Sequence, residues 1–276
     1  MIEPNAFLTR DGLELPLRHW DAQRPVAVLV ALHGMSDYSE AFDMPGPWWA
    51  ARGITVYAYD QRGFGRSPDP GIWAGADAMR SDLDDFVAAA RDKYPRLPVY
   101  ALGESMGGAV LLSALAAPRP PRIDGAILVA PAVWSRADMP LSYRIALWLG
   151  AHTIPWKHVS GEGLKIWPSD NIAMLRRLSR DPVYQHDARI DQVYGLVGLM
   201  DQARKAPAAM VQDPPILLLY GDKDQVIPAG PTKAVVGELA GHADVREYPH
   251  GYHMLLRDLE GETVWKDIAD WIKGRR

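Results

Sequence analysis

The chain contains no cysteine. That excludes a disulfide framework, a thiol nucleophile and a thiolate metal site. It also suits a reducing compartment, since structural disulfides belong to oxidising ones. Runs of like charge are lacking too. Thirty Lys and Arg stand against thirty-four Asp and Glu, a formal net charge of −4, and the two signs are interspersed. A nucleic-acid groove draws on clustered Lys and Arg, so no nucleic-acid partner is expected. Long apolar runs are missing. The longest plain one, Val26 to Leu32, has seven residues, against roughly 20 for a helix that spans a bilayer. Met1 to Arg10 is polar and carries no secretory leader pattern. The expectation from these absences is a cytoplasmic protein. There is no His-Glu-x-x-His, and the eight histidines do not fall at ligand spacing. Gly63-x-Gly65 and Gly103-x-x-x-Gly107 match neither a dinucleotide fingerprint nor a Walker A loop. No metal and no cofactor are expected. Internal repeats and low-complexity tracts are absent as well.

What is present is enough apolar material for one large core. The chain has 276 residues, 48% of them hydrophobic, which suits one domain or one domain with an insert. Leu13 to Trp20 alternates like a half-buried strand. Val26 to Leu32 and Ile54 to Tyr59 are continuous apolar runs, as in buried parallel strands. Val99 to Leu102, Ile123 to Ala130 and Ile216 to Tyr220 continue the series, and Asp244 to Tyr248 is a later, shorter one. Between them, Asp77 to Tyr94 reads as an amphipathic helix, with Met79, Leu83, Phe86, Val87 and Ala90 at helical spacing. Further helices are predicted from Met106 to about Ala116 and from Glu262 to Ile272. Strands alternating with helices predict an α/β fold with a mostly parallel sheet.

One stretch breaks the rhythm. Residues 131–215 offer no sheet strand, only helical patterns near Ser142 to Ala151, Ile172 to Leu178 and Ile190 to Arg204. A structureless loop of that length would be abnormal. The reading is a helical cap at 131–215, inserted into a core made of 1–130 and 216–276.

The chemistry centres on Gly103-Glu104-Ser105-Met106-Gly107-Gly108. It follows a predicted strand and opens a predicted helix, the context of a nucleophile elbow. A tight strand-to-helix turn leaves no room for side chains at the flanking glycines. It lifts the serine hydroxyl to the helix N-terminus, where free N–H groups favour developing negative charge. A serine hydroxyl needs a base. His253 follows the Asp244 to Tyr248 strand in a loop at a strand's C-terminal end, where α/β sites collect. His250 is the rival. The acid that orients the base should lie on another such loop, and Gly221-Asp222-Lys223-Asp224 supplies two. Asp224 lies further into the turn and is preferred; Asp222 reads as a turn cap and stays the second candidate. An oxyanion hole needs two backbone donors. Met106 N–H follows the nucleophile, and Met35 N–H can turn toward it after His33-Gly34. His33 itself reads as a buried structural histidine.

These segments, with Tyr59 to Ser67 and Gly251-Tyr252-His253, resemble the serine-hydrolase branch of the α/β-hydrolase superfamily. More narrowly, they are similar to the monoacylglycerol lipase and lysophospholipase-like group. The resemblance implies an eight-stranded sheet with only the second strand antiparallel, and a helical cap after strand six. It implies Ser105, Asp224 and His253 as catalytic triad, with Met35 and Met106 as oxyanion donors. Gln61-Arg62 and Phe64 stand where relatives often carry His-Arg and His or another aromatic, in a loop whose usual role is structural.

The function expected is a serine carboxylic-ester hydrolase acting through an acyl-enzyme on a small apolar acyl ester. A monoacylglycerol or medium-chain ester is the leading substrate. Lysophospholipids, lactones and small amides or peptides are the alternatives; for a peptide, Glu104 or cap residues would hold the free amine. A catalytically inactive binding protein on the same fold is the reading from another class. The aromatic and aliphatic residues of the cap, among them Trp134, Trp148 and Leu196, suit an acyl chain or a transient lipid-surface contact.

Overall fold

The computed structural model describes residues 1–161, 163, 165–210 and 214–275. Its frame is one eight-stranded sheet. The strands are β1 (Ala6–Leu8), β2 (Glu14–Trp20), β3 (Ala27–Leu32), β4 (Ile54–Tyr59), β5 (Val99–Glu104), β6 (Gly125–Val129), β7 (Ile216–Gly221) and β8 (Ala243–Tyr248). Their order is β1-β2-β4-β3-β5-β6-β7-β8. β2 runs antiparallel to both its neighbours, and every other pairing is parallel.

The apolar runs explain the middle of the sheet. β3 to β7 are buried along their whole length, because helices cover both faces. The helices are α1 (Pro45–Ala50), α2 (Ala76–Lys93), α3 (Met106–Leu115), α4 (Leu141–Thr153), α5 (Ile172–Leu178), α6 (Ile190–Lys205), α7 (Ala229–Glu238) and α8 (Gly261–Gly274). Successive strand residues face opposite ways. Val28, Val30 and Leu32 of β3 meet the layer of α2, α3, α6 and α7. Ala27, Leu29 and Ala31 meet α1 and α8. β2 alternates in burial, as its sequence pattern predicts.

Elements that the apolar pattern does not reveal are short or interrupted. β1 has three residues, too few for a period to show. α7 contains Gly230, Pro231 and Gly237, and buries only Pro231, Thr232 and Val235. Pro231 sits in the first turn, where no intrahelical donor is lost.

Between β6 and β7 lie α4, α5 and α6, where the sequence predicts helices. A two-stranded antiparallel ribbon, His158–Ser160 with Asp187–Arg189, was not predicted. α6 is the anchored helix of the segment. Val197, Leu199, Met200 and Ala203 join the core shared with α3. Gly195 lets Trp73 lie directly against the helix; any Cβ there would collide with the indole. α4 is the opposite case and buries none of its residues. Among the described residues, no helix is long and apolar enough to cross a membrane.

The aromatic cluster under α2 tests this packing. Phe86 is fully buried, stacks on Tyr59 with centroids 5.3 Å apart and meets Phe7 edge-on at 4.7 Å. Phe86→Ala should destabilise the protein by about 3–5 kcal/mol, read from equilibrium denaturant unfolding. A loss below about 1 kcal/mol would show that this layer repacks freely.

Candidate active site

Five chain segments meet at the C-terminal edge of β3, β5, β6, β7 and β8. The first is the turn from β5 into α3. Ser105 is the N-cap of α3, with φ 52° and ψ −113°. A non-glycine residue there is strained and must be held in place. Backbone bonds do the holding: Ser105 N–H donates to Val129 C=O at 2.9 Å, and Ala132 N–H donates to Ser105 C=O at 2.9 Å. The glycines are required for the reason the sequence suggests. A Cβ on Gly103 would collide with the Gly107 backbone, and one on Gly107 with the Leu32 carbonyl of β3. Ser105 is partly exposed while its neighbours on both sides are buried.

The loops after β7 and β8 bring up the other two side chains. Ser105 Oγ donates to His253 Nε2 at 2.9 Å, and His253 Nδ1 donates to Asp224 Oδ2 at 2.7 Å. An ionised carboxylate only accepts, so the proton of the neutral ring lies on Nδ1 and leaves Nε2 as acceptor. Asp224 is itself oriented: its Oδ1 accepts the N–H of Val226 at 2.8 Å and of Ile227 at 3.0 Å. Gly221 and Gly251 let the two loops touch backbone to backbone, and Lys223 N–H donates to Gly251 C=O at 2.9 Å. This chain of contacts gives a hydroxyl a base and the base a fixed tautomer. The rivals lie outside it. Asp222 is exposed, with its N–H on Tyr248 C=O at 3.0 Å, and His250 is exposed.

The loop after β3 closes the near side. A Cβ on Gly34 would lie 3.3 Å from Ser105 Cβ, so the His33-Gly34-Met35 turn passes directly beside the serine. Among the described residues, no backbone acceptor takes the N–H of Met35 or Met106. His33 is buried and holds the loop. Its Nδ1 donates to Gly34 C=O at 2.8 Å, and its Nε2 accepts Gln61 N–H at 2.9 Å. Burial pushes its pKa down, which keeps the ring neutral for those two bonds. The Asp60 to Ser67 loop is structural as well: Asp60 accepts the N–H of Ser39 at 2.9 Å and of Arg66 at 2.8 Å.

Glu104 corrects an expectation. It is not at the mouth of the site, where it would hold an amine. It is buried, its Oε2 lies 3.4 Å from Arg257 Nη2, and burial pushes its pKa up. The same guanidinium hydrogen-bonds Asp37. Sequence reasoning missed Arg257 and Asp37. The available signal was an arginine standing directly after the apolar Met254-Leu255-Leu256.

Two residues past Ala132, Trp134 lines an open cavity of about 400 Å³ between α4 and α6, with none of Ser105, His253 and Asp224 among its lining. Met139, Leu147, Ile190, Val193 and Val197 are among its lining, with Tyr143 and Trp134 contributing a hydroxyl and an indole N–H. Among the described residues, no group of His, Asp and Glu is arranged to hold a metal ion.

A family model described as serine aminopeptidase, S33, matches residues 23–260. The chain belongs to this family. Among curated relatives, the monoacylglycerol lipase of Mycolicibacterium smegmatis is 28% identical over 260 residues, covering 90% of this chain and 88% of that one. The monoglyceride lipase of Homo sapiens is 26% identical over 280 residues, covering 98% and 90%. A soluble variant of monoglyceride lipase from Saccharomyces cerevisiae, solved with a substrate analog, superposes with a TM-score of 0.84 at 18% identity. That match covers 99% of this chain and 95% of the other. The architecture of this S33 family member is the α/β-hydrolase fold, as its motifs imply.

Gly107→Ala tests the elbow. The new methyl group meets the Leu32 carbonyl, a backbone atom that cannot step aside. Overpacking of this kind costs about 1–3 kcal/mol. Thermal unfolding should show that loss, and labelling of Ser105 by a fluorophosphonate should slow in the fraction that stays folded. Unchanged labelling and melting would contradict the packing argument.

Proposed function

We propose that the protein is a serine carboxylic-ester hydrolase that acts on monoacylglycerols or similar medium-chain esters. One observation carries the reading: Ser105, His253 and Asp224 form a continuous hydrogen-bonded chain at 2.9 and 2.7 Å. In the proposed cycle, His253 Nε2 takes the Ser105 proton as Oγ attacks the acyl carbonyl. Asp224 stabilises the imidazolium. The N–H groups of Met35 and Met106 bind the oxyanion. His253 then protonates the leaving alcohol, and a water activated by His253 releases the acid from the acyl-enzyme.

The ester reading is preferred to the aminopeptidase activity that the family description mentions. An aminopeptidase must hold a free ammonium near the nucleophile. The nearby buried carboxylates, Asp37 and Glu104, already face Arg257. The cavity beyond Trp134 is lined almost wholly by apolar side chains, which suits an acyl chain. The lipase relatives point the same way.

Residues 131–215 serve in this reading as the cap over a core of 1–130 and 216–276. Their contacts support it. Met254 N–H donates to Pro168 C=O at 2.8 Å, and Trp167 N–H donates to the side chain of Gln225 at 3.0 Å, so the segment rests on both the His253 and the Asp224 loops. α4 presents Leu141, Ile145, Trp148 and Leu149, at helical spacing on one face, to solvent. So apolar a helix face suits transient docking on a lipid surface.

Two measurements test these statements. Ser105→Ala should lower turnover of monoacylglycerols and p-nitrophenyl esters by about 10³-fold or more, with lysophospholipids, lactones and aminoacyl amides in the same panel. Wild-type turnover of aminoacyl amides alone would overturn the ester reading. Trp148→Ser with Leu149→Ser should weaken partitioning onto phosphatidylcholine vesicles by about tenfold or more, leaving hydrolysis of a water-soluble ester unchanged. Equal partitioning would remove α4 from the lipid contact.

A further inference from the structure

We infer that Arg257 is a positioning residue, whose single guanidinium ties together the three loops that present Met35, Ser105 and His253. The inference rests on the proposed role of Ser105 as nucleophile. Each tie is a named contact. Asp37, two residues beyond Met35, accepts from Arg257 Nη2. Glu104, the residue before Ser105, faces the same nitrogen at 3.4 Å. Arg257 itself lies four residues beyond His253 in the short 3-10 turn Leu255–Arg257, where its N–H donates to Met254 C=O at 2.8 Å. From the segment 131–215, Asn171 Nδ2 donates to Arg257 C=O at 3.0 Å, which secures the turn from its other side.

All three charged side chains are buried. A buried ion group of this kind is weak evidence for stability, since apolar residues of similar volume often serve a fold equally well. What an arginine supplies that an apolar cluster does not is direction: its donors fix where each carboxylate lies. The cluster is also left incompletely satisfied, with Glu104 Oε1 and Arg257 Nε lacking a partner. The arrangement therefore sacrifices hydrogen bonding at a point where three catalytic loops must be kept in register. The distances involved are those on which acyl transfer is most sensitive: oxyanion donor to serine, and serine to imidazole. Burial pulls the Arg257 pKa down, but Asp37 and Glu104 raise it by more, so the clamp stays charged.

The test compares wild type with Asp37→Asn, which is isosteric but removes the charge and leaves one acceptor oxygen where Asp37 uses two, Oδ1 for Tyr38 N–H and Oδ2 for Arg257, and with Arg257→Met and Arg257→Lys. Each protein is measured for folded fraction by circular dichroism, for kcat and KM on p-nitrophenyl butyrate, and for the rate of fluorophosphonate labelling of Ser105. For Asp37→Asn, kcat per folded molecule should fall by about 10- to 100-fold while KM stays within about threefold. Labelling should slow in parallel. Arg257→Lys, which keeps the charge, should retain more activity per folded molecule than Arg257→Met. An Asp37→Asn protein that turns over and labels like wild type overturns the inference. So does an Arg257→Met activity loss fully accounted for by its unfolded fraction. If wild type itself is not labelled at Ser105, the functional reading fails; a labelled wild type with unaffected variants sinks the clamp alone.

Discussion

The close approach of α3 to β3 at Gly107 governs the rest of the site. With no side chain there, the helix can start directly against the Leu32 carbonyl, and the chain has to turn sharply at Ser105. The turn forces φ of 52° on a serine. Its strain is held by sheet and loop bonds on both sides, from Val129 and Ala132. The chemical consequence is a partly exposed hydroxyl on an otherwise buried turn, at the N-terminus of α3, where N–H groups have no partner within the helix. The same logic repeats at Gly221 and Gly251, where two loops touch backbone to backbone. Glycine thus sets the spacing of the site, and the polar side chains only occupy places that the backbone has already defined.

Much of this was legible in the sequence, for physical reasons. Central strands covered on both faces must be apolar throughout, so β3, β4, β5, β6 and β7 announced themselves. The flanking glycines around Ser105 have one steric explanation after a strand and before a helix. His253 and Asp224, which the structure brings to Ser105, stand out in the sequence because sites on parallel sheets gather where strands end. Other features left no comparable trace. β1 and the ribbon are too short for a period. α7 is broken up by glycine and proline. Arg257 and Asp37 come from segments 220 residues apart, and an ion pair across such a distance has no local pattern. Glu104 reads as a mouth residue because it adjoins the partly exposed Ser105, yet it is the last residue of β5, a strand buried along its whole length, and it meets Arg257 inside the protein.

The two halves of the segment between β6 and β7 are built differently. α6 shares the core of α3 and is pinned by Trp73 at Gly195 and by the Arg204–Glu238 ion pair at 2.8 Å. It is part of the folded body in all but sequence position. α4 has no fully buried residue and meets that core only through the partly buried Leu147, yet with Tyr143, Ala146 and Leu147 it forms one wall of the cavity. One wall of the cavity is therefore rigid, and the other is held mainly by its contacts with α6 and by the chain at its two ends.

That division has an evolutionary consequence. Substitutions at the exposed positions of α4, away from Leu147, leave folding stability nearly untouched, because there is little packing to lose. The same substitutions reshape the cavity wall and the surface it turns outward. If the cavity takes the acyl chain as proposed, chain preference can drift through α4 under selection for substrate alone, while the turn at Ser105 stays under the separate and stricter demands of the elbow.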